Sequence, residues 1–362
     1  MAPPSLETGI FATANPPQCY NICRHSHNTR APMRIEAFSE GKYLDDPEAN
    51  EDQLLVLPGR GYAVIDGVTD ISGRRFDGQR TGRLASRIVQ QAAVEFLLDP
   101  AAAEGGPEVL IEQTCVALRA AYLRYDMLDD AEARPANRFG ATLTLAADLG
   151  RVFRFIVIGD SGLRLNGEEV FVVDSGLDLV TATLRQQAYR MVEETGGDLE
   201  ARRRAGRACA FHGIATPRPE MLPWLEVAGL ATLYERSLAQ CRSRFPAAPV
   251  ADIRWLLDHG ISGQTRYQNN LASPFSYATL DGFGLPLPLV RVFDRARESV
   301  RSIELFTDGY FKTAATPEVT AWEAAFAEVE VRDPEKIDAY PSVKGSLERM
   351  RTDDRTVVIV QL

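Results

Sequence analysis

Apolar positions along this chain change their spacing several times, and the changes mark out its elements. Residues 34–40 alternate polar and apolar, with Ile35, Ala37 and Phe38, which predicts a strand. Residues 53–57 and 61–65 are short apolar runs on either side of Pro58-Gly59, a turn signal, and together they predict a hairpin. The spacing then lengthens to that of a helix. Leu84, Ile88, Ala92 and Phe96 form one stripe over residues 78–98, and Val109, Cys115, Leu118 and Tyr122 form another over 107–125. A second hairpin is expected at 141–149 and 152–158, around Asp148-Leu149-Gly150, and a third at 163–166 and 170–173, turning at Gly167-Glu168.

Residues from about 176 to 270 read differently, with helical stretches at 177–194, 199–209, 225–244 and 253–258 and few strand signals. They predict a mostly helical insertion. Strands resume at 275–280, 287–293 and 302–307. A helical stretch follows over 319–351, broken at Pro334 and Pro341, and a β-branched strand over 356–360. Residues 1–32, rich in Pro, Asn and Thr, predict an irregular arm ahead of a single domain over 33–362. Hairpins separated by helix pairs, without strict alternation of strand and helix, indicate an α+β fold with antiparallel sheets.

Many of the predicted strands end on an acid. Asn50-Glu51-Asp52, Val64-Ile65-Asp66-Gly67, Ile158-Gly159-Asp160-Ser161, Thr307-Asp308-Gly309 and Asp353-Asp354-Arg355-Thr356 are spread over most of the chain. A carboxylate at the end of a buried strand is costly unless a positive charge offsets its desolvation. Several converging on one point repel each other without cations between them. Oxygen-rich acid clusters of this kind suit hard divalent ions, Mg²⁺ or Mn²⁺.

The order of these elements, together with Gly140-Ala141-Thr142, resembles that of the metal-dependent serine/threonine phosphatases of type 2C. The resemblance spans residues 50–362 and implies a sandwich of two antiparallel sheets flanked by helix pairs, with a two-metal centre at one end. Carried over residue by residue, Asp66 would bridge both metals. The Gly67 carbonyl and Glu51 would serve one metal, and Asp308 and Asp353 the other. Asp52 would support the site, and Asp160 would join Asp308 around a possible third ion. Asp66, Asp308 and Asp353 are thereby the implied catalytic ligands, with Asp354 as the alternative to Asp353. Two cations about 4 Å apart lower the pKa of a water between them, so that hydroxide can attack phosphorus in line. The implied substrate is a phosphoserine or phosphothreonine protein, with a phosphorylated small molecule as the variant.

The match departs from the family in several places, among them Asp353-Asp354 where many relatives have Asp-Asn and an insertion over about 176–270 that is longer than the family's usual flap. The phosphate-clamping Arg that usually stands four residues before the Glu is Pro47 here, and Arg74, Arg75, Arg80 and Arg83 are the candidate replacements, since bidentate arginine suits phosphate. The residues after Asp66-Gly67 are Val68, Thr69 and Asp70, without the His proposed as general acid in some members. These departures keep open a phosphatase-like domain that binds a phosphorylated partner without turnover, and, less favoured, another two-metal hydrolase such as a nuclease.

A net charge of −10 over 362 residues argues against a general binder of nucleic acid or anionic membrane. No run approaches the roughly 18 apolar residues of a membrane span, and five irregularly spaced cysteines make no disulfide framework, so a reduced cytoplasmic protein is expected. Cys19, Cys23, His25 and His27 cluster, but their spacing is not a common zinc pattern. Arg202-Arg203-Arg204 reads as a solvated helix face that could guide an acidic or phosphorylated partner. No oligomeric state is implied.

Overall fold

The computed structural model describes residues 33–68, 73–221 and 223–362. The Cys19, Cys23, His25 and His27 cluster and the irregular arm lie outside the described residues.

The strands, in chain order, are β1 (Arg34–Glu40), β2 (Gln53–Leu57), β3 (Gly61–Val68), β4 (Arg75–Phe76), β5 (Gln79–Arg80), β6 (Gly140–Asp148), β7 (Val152–Ile158), β8 (Gly162–Leu165), β9 (Glu169–Phe171), β10 (Arg291–Ala296), β11 (Ser302–Phe306) and β12 (Arg355–Gln361). The helices are α1 (Thr81–Leu98), α2 (Pro100–Gly105), α3 (Pro107–Arg124), α4 (Leu128–Ala133), α5 (Leu177–Glu194), α6 (Leu199–His212), α7 (Val227–Arg244), α8 (Val250–His259) and α9 (Val319–Arg332). Two five-stranded sheets result, ordered β1-β12-β11-β8-β9 and β10-β7-β6-β3-β2. Every strand pair in them is antiparallel. The fold is α+β.

Strand alternation sets the layers. Tyr62 and Val64 of β3 face inward with Phe153, Phe155 and Val157 of β7, against Leu163, Leu165, Ile303, Leu305, Val358 and Val360 of the other sheet. Their neighbours in β3, Ala63 and Ile65, face outward onto Leu84, Val89 and Phe96 of α1 and onto Leu118 and Tyr122 of α3. On the far side Val357 and Ile359 of β12 face outward onto Trp322 and Phe326 of α9.

Helices α5 to α8 have a core of their own, built from residues such as Leu184, Val192, Cys209, Leu233 and Leu256. The first two of these helices are tied to the segment after α9. Arg185 Nη1 donates to the carbonyls of Lys336 and Ser342 at 3.1 Å each, Gln186 donates to the carbonyl of Ile337, and Arg203 pairs with Glu335.

Three sequence expectations are corrected. Residues 275–280 form no strand, only isolated bridges of Tyr277 to Gln268 and of Leu280 to Ala141. The side chain of Asn269 takes the place of a neighbouring strand, accepting from Thr279 N at 2.8 Å and donating to Thr279 O at 2.7 Å. The strand expected at 287–293 starts only at Arg291, because Pro286 and Pro288 hold Leu287–Leu289 in a 3₁₀ turn. The helix expected over 319–351 ends at Arg332. Pro334 disfavours continuation, and the Asp333 carboxylate gathers the next backbone N–H groups, from Ile337 at 3.0 Å and from Asp338 and Tyr340 at 2.9 Å each.

Burial alone would raise the Asp333 carboxyl, but the bonds from Tyr340, Ile337 and Asp338 and the Lys336 charge outweigh it and hold the group below its ordinary 3.8. A depressed folded-state pKa gives stability that is complete above the unfolded value and lost as pH falls below it. Asp333→Asn should therefore cost about 1–2 kcal/mol near neutral pH, the difference between charged and neutral acceptors. That gap should close as pH falls below about 4, which urea unfolding at a series of pH values would measure. No helix of the described residues is long and apolar enough to cross a membrane.

Candidate metal centre

Five chain segments meet at one end of the sandwich, and close backbone contacts hold them there. Asp66 and Gly67 lie near the end of β3, paired with Thr142 and Ala141 of β6. Gly67 and Gly82 of α1 approach so closely that a Cβ on Gly67 would lie 2.2 Å from Gly82 O. A Cβ on Gly82 would lie 2.6 Å from Glu51 Oε1 and 2.7 Å from Gly67 O, so these two oxygens converge on one small region. The first turns of α1 also pin the Asn50-Glu51-Asp52 turn: Ser86 Oγ donates to Glu51 O, and Arg83 Nη1 donates to Asn50 O at 2.7 Å.

Asp308 follows β11, and Asp353-Asp354 precede its neighbour β12. A Cβ on Gly309 would come within 2.1 Å of Asp354 O, so only glycine lets these two loops touch. Thr307 joins three of the segments. Its Oγ1 donates to Asp52 Oδ2 at 2.8 Å and accepts from Thr356 N at 2.9 Å. Asp160 sits between β7 and β8, beside Ser161, whose hydroxyl lies 3.2 Å from Thr142 Oγ1.

Two lysines stand among these acids. Lys42, in the loop after β1, places Nζ 3.1 Å from Glu51 Oε2, 3.2 Å from Asp354 Oδ2 and 3.3 Å from Asp353 Oδ1. Lys344, in the loop tied to the helical insertion, places Nζ 2.7 Å from Asp353 Oδ2. Asp354 is further committed to backbone, accepting from Lys42 N at 2.6 Å and from Glu51 N at 3.2 Å. Asp353, with its side chain 23% exposed against 2% for Asp354, is the acid of this pair that faces the centre's open side.

The protonation tendencies follow from this packing. Burial pushes the Asp66 carboxyl well above its usual range, and the charges of Asp308, Asp52, Asp160 and Asp353 add to the shift. Asp308 is raised by surrounding protein and by Asp353 and Asp160, against the Lys344 charge. Its side chain reaches solvent, which weakens the burial contribution, so like-charge crowding carries the direction. Burial and the Asp354 charge push Asp52 up to about 7, against its threonine hydrogen bonds. Asp160 is raised by burial and by Asp353 and Asp174, in spite of a bond from its own backbone. Asp353 goes the other way: Lys344 and Lys42 outweigh burial and hold it below the carboxylate range. Lys42 is raised, because Asp353, Asp354 and Glu51 outweigh a burial that alone would lower it.

The four candidate arginines divide. Arg74 is turned to Asp130 and Met127, and Arg75 to the carbonyl of Gly78. Arg83 bonds Asn50 O and Glu48, and the Arg80 guanidinium lies 4.7 Å over the Tyr43 ring. Arg80 and Arg83 thus flank the Pro47–Ala49 turn, where the resemblance would place an arginine. The sequence reading missed Lys42 and Lys344, together with Asp174 and Asp178 beside Asp160 at the start of α5. Gly41-Lys42 close before the Asn50-Glu51-Asp52 element was the one available signal for the first of them.

The donor set suits a hard divalent cation. Glu51, Asp52, Asp66, Asp160, Asp308, Asp353 and Asp354 supply only oxygens, with Lys42 and Lys344 as the ammonium groups set among them. Asp52 Oδ1 and Asp160 Oδ1 are buried and find no hydrogen-bond partner among the described residues. Among those residues, however, no three His, Cys, Asp or Glu side chains are grouped as a ready-made ion site. Lys42 and Lys344 engage carboxylate oxygens of Glu51, Asp353 and Asp354.

No family model matches the chain, and no curated protein matches it. Solved structures do. The serine/threonine phosphatase PstP/Ppp of Mycobacterium tuberculosis is 17% identical, over 91% of this chain and 98% of that one, at a TM-score of 0.40. A catalytic domain of serine/threonine phosphatase PstP in complex with two manganese ions is 16% identical, over 91% and 97%, at 0.42. Stp1, a serine/threonine phosphatase of Staphylococcus aureus, is 11% identical, over 94% and 99%, also at 0.42.

Proposed function

We propose that this chain is a divalent-metal-dependent phosphatase that hydrolyses phosphomonoesters, with phosphoserine or phosphothreonine on a protein as its substrate. The observation that supports this most is the crowding of Asp66 by Asp308, Asp52, Asp160 and Asp353 at one end of the sandwich. Acids that are buried and bear on one another in this way are characteristic of sites where cations or a reaction use them.

Asp66, Glu51 and the Gly67 carbonyl, with Asp308 and Asp353, would hold two Mn²⁺ or Mg²⁺ ions, and Asp160 with Asp308 could serve a third. Such ions, when bound, acidify water and neutralise charge on phosphoryl oxygens. The chain's own groups set the rest. Thr307 fixes Asp52 against the loops of Asp308 and Asp353, so the acids arrive pre-positioned. Lys344, with its side chain 41% exposed, stands at the open side, where a phosphate would approach. Arg83 bonds the Asn50 carbonyl of the Asn50-Glu51-Asp52 turn, and Arg80 lies over the Tyr43 ring. A reduced cytoplasm suits the free thiols of Cys115, Cys209 and Cys241.

Hydrolysis of an aryl phosphate by the purified protein tests the reading. Turnover should appear with Mn²⁺ or Mg²⁺ and fall at least about a hundredfold on chelation, since losing even a residue behind a metal ligand commonly costs 10–100-fold. Equal rates with metal and with chelator would overturn it. Retention of phosphopeptide without turnover would favour the binding reading, which Pro47 in the clamping position motivates.

A further inference from the structure

We propose that Lys42 is a built-in cation of this centre, occupying the charge position between Glu51 and Asp353 and thereby setting how tightly a divalent ion binds there. An ammonium has three donors and no acceptor. Here the three find three carboxylate oxygens, one each on Glu51, Asp353 and Asp354, at 3.1–3.3 Å. The Lys42 side chain is 8% exposed, and Glu51 beside it is fully buried. Its backbone is held on both sides: Lys42 N donates to Asp354 Oδ1 at 2.6 Å, and Lys42 O accepts from Arg351 N at 2.8 Å. The ammonium is therefore delivered to this point by fixed backbone and is not a surface side chain that happened to fall inward.

Glu51 and Asp353 belong to opposite sides of the pair of ion positions proposed above, and this inference rests on that reading. Lys42 takes one oxygen from each, which leaves Glu51 Oε1 beside Gly82, in the same small region as the Gly67 carbonyl, and Asp353 Oδ2 turned to Lys344. Two consequences follow. The centre is assembled in the metal-free chain, because an internal positive charge already offsets part of the acid crowding. A divalent ion held by Glu51 and Asp353 would share these carboxylates with a fixed like charge, so its affinity is held down. Metal occupancy then becomes sensitive to ion concentration in a way that an all-carboxylate centre is not.

The test compares Mn²⁺ binding, by calorimetry and by electron paramagnetic resonance, in wild-type protein and in Lys42→Met, Lys42→Arg and Asp66→Asn. Thermal unfolding is followed in chelator and in Mn²⁺. Lys42→Met should bind Mn²⁺ at least about tenfold more tightly, because removing a neighbouring like charge is worth that much at a buried site. It should also melt lower than wild type in chelator and recover in Mn²⁺, whereas Lys42→Arg should keep the weak wild-type affinity. If Lys42→Met does not fold even with Mn²⁺, Lys42→Gln, which keeps hydrogen bonding without charge, carries the comparison. Unchanged or weaker Mn²⁺ binding in the neutral variants, with wild-type binding that Asp66→Asn abolishes, would overturn the role of Lys42 and leave the metal-dependent reading standing. Absence of Mn²⁺ binding in wild type and neutral variants alike would overturn both.

Discussion

Asp66→Asn should lose at least about a hundredfold in metal-dependent phosphate release while the metal-free protein melts no lower than wild type. The two halves of this expectation have one cause. Asp66 is the acid at the end of β3 on which Asp308, Asp52, Asp160 and Asp353 all bear, and burial adds to their repulsion. A carboxylate there destabilises the empty fold and is worth having only if something positive is bound. Asparagine has the same shape without the charge, so it relieves the repulsion and removes the ligand together. Melting curves in chelator and in Mn²⁺ beside the aryl phosphate assay would check this. Wild-type protein should gain stability with Mn²⁺ and the variant should gain little. A variant that melts much lower in chelator would mean that Asp66 has a structural partner, and retained turnover would remove it from the reaction.

The largest stability effect is expected at a buried ion pair outside the acid cluster. Arg164 on β8 and Glu304 on β11 face each other across neighbouring strands, under α9. Arg164 Nε donates to Glu304 Oε1 at 2.9 Å, with a second guanidinium contact to Oε2, while Nη1 donates to the carbonyl of Ala314. Trp322 Nε1 donates to Glu304 Oε2 at 2.9 Å. The Glu304 side chain is fully buried and that of Arg164 is 4% exposed. Removing one member strands the other charge away from water, which costs about 3–5 kcal/mol. Glu304→Leu alone should therefore lower the melting temperature by roughly 4–7 °C in a chain of this size. Arg164→Met combined with Glu304→Leu should recover much of that loss, since a buried pair exchanged for apolar residues is often close to neutral. Strict additivity of the two single changes in a thermal melt would show that the pair is not coupled.

Elements announced by local chemistry could be read in the sequence. The β2–β3 turn is one: Gly59 has φ of +76°, a conformation glycine adopts without strain, and it follows Pro58 between two apolar runs. The first strand and helix α5 were bounded by periodicity alone. Asp66, Asp160 and Asp308 stand out in the sequence for a similar reason, because each lies near a strand end beside a glycine or serine. What could not be read depends on side-chain partners outside the element itself. Residues 275–280 have strand-like composition, yet the Asn269 side chain takes the backbone groups of Thr279. Asp353 and Asp354 are alike in sequence, and only the N–H groups of Lys42 and Glu51 separate their duties. Lys42 and Lys344 lie in loops without periodicity, and beyond the nearness of Gly41-Lys42 to the Asn50-Glu51-Asp52 element nothing in the sequence shows that their ammonium groups end among carboxylates.

The neighbour relation of β1 and β12 has a consequence for how this molecule comes into being. Ser39 and Thr356, which share a hydrogen bond across that pair, are 317 residues apart. On a ribosome, β1 emerges early and waits for almost the whole chain before its edge is covered, and β11 waits for the same partner. Pairings so distant in sequence form late and slowly. Until then β1 and β11 offer unpaired backbone to other nascent chains, a hazard met by chaperones. The same delay applies to the centre, since Asp353 arrives with β12. A truncated product lacking that strand would leave the acid cluster unfinished.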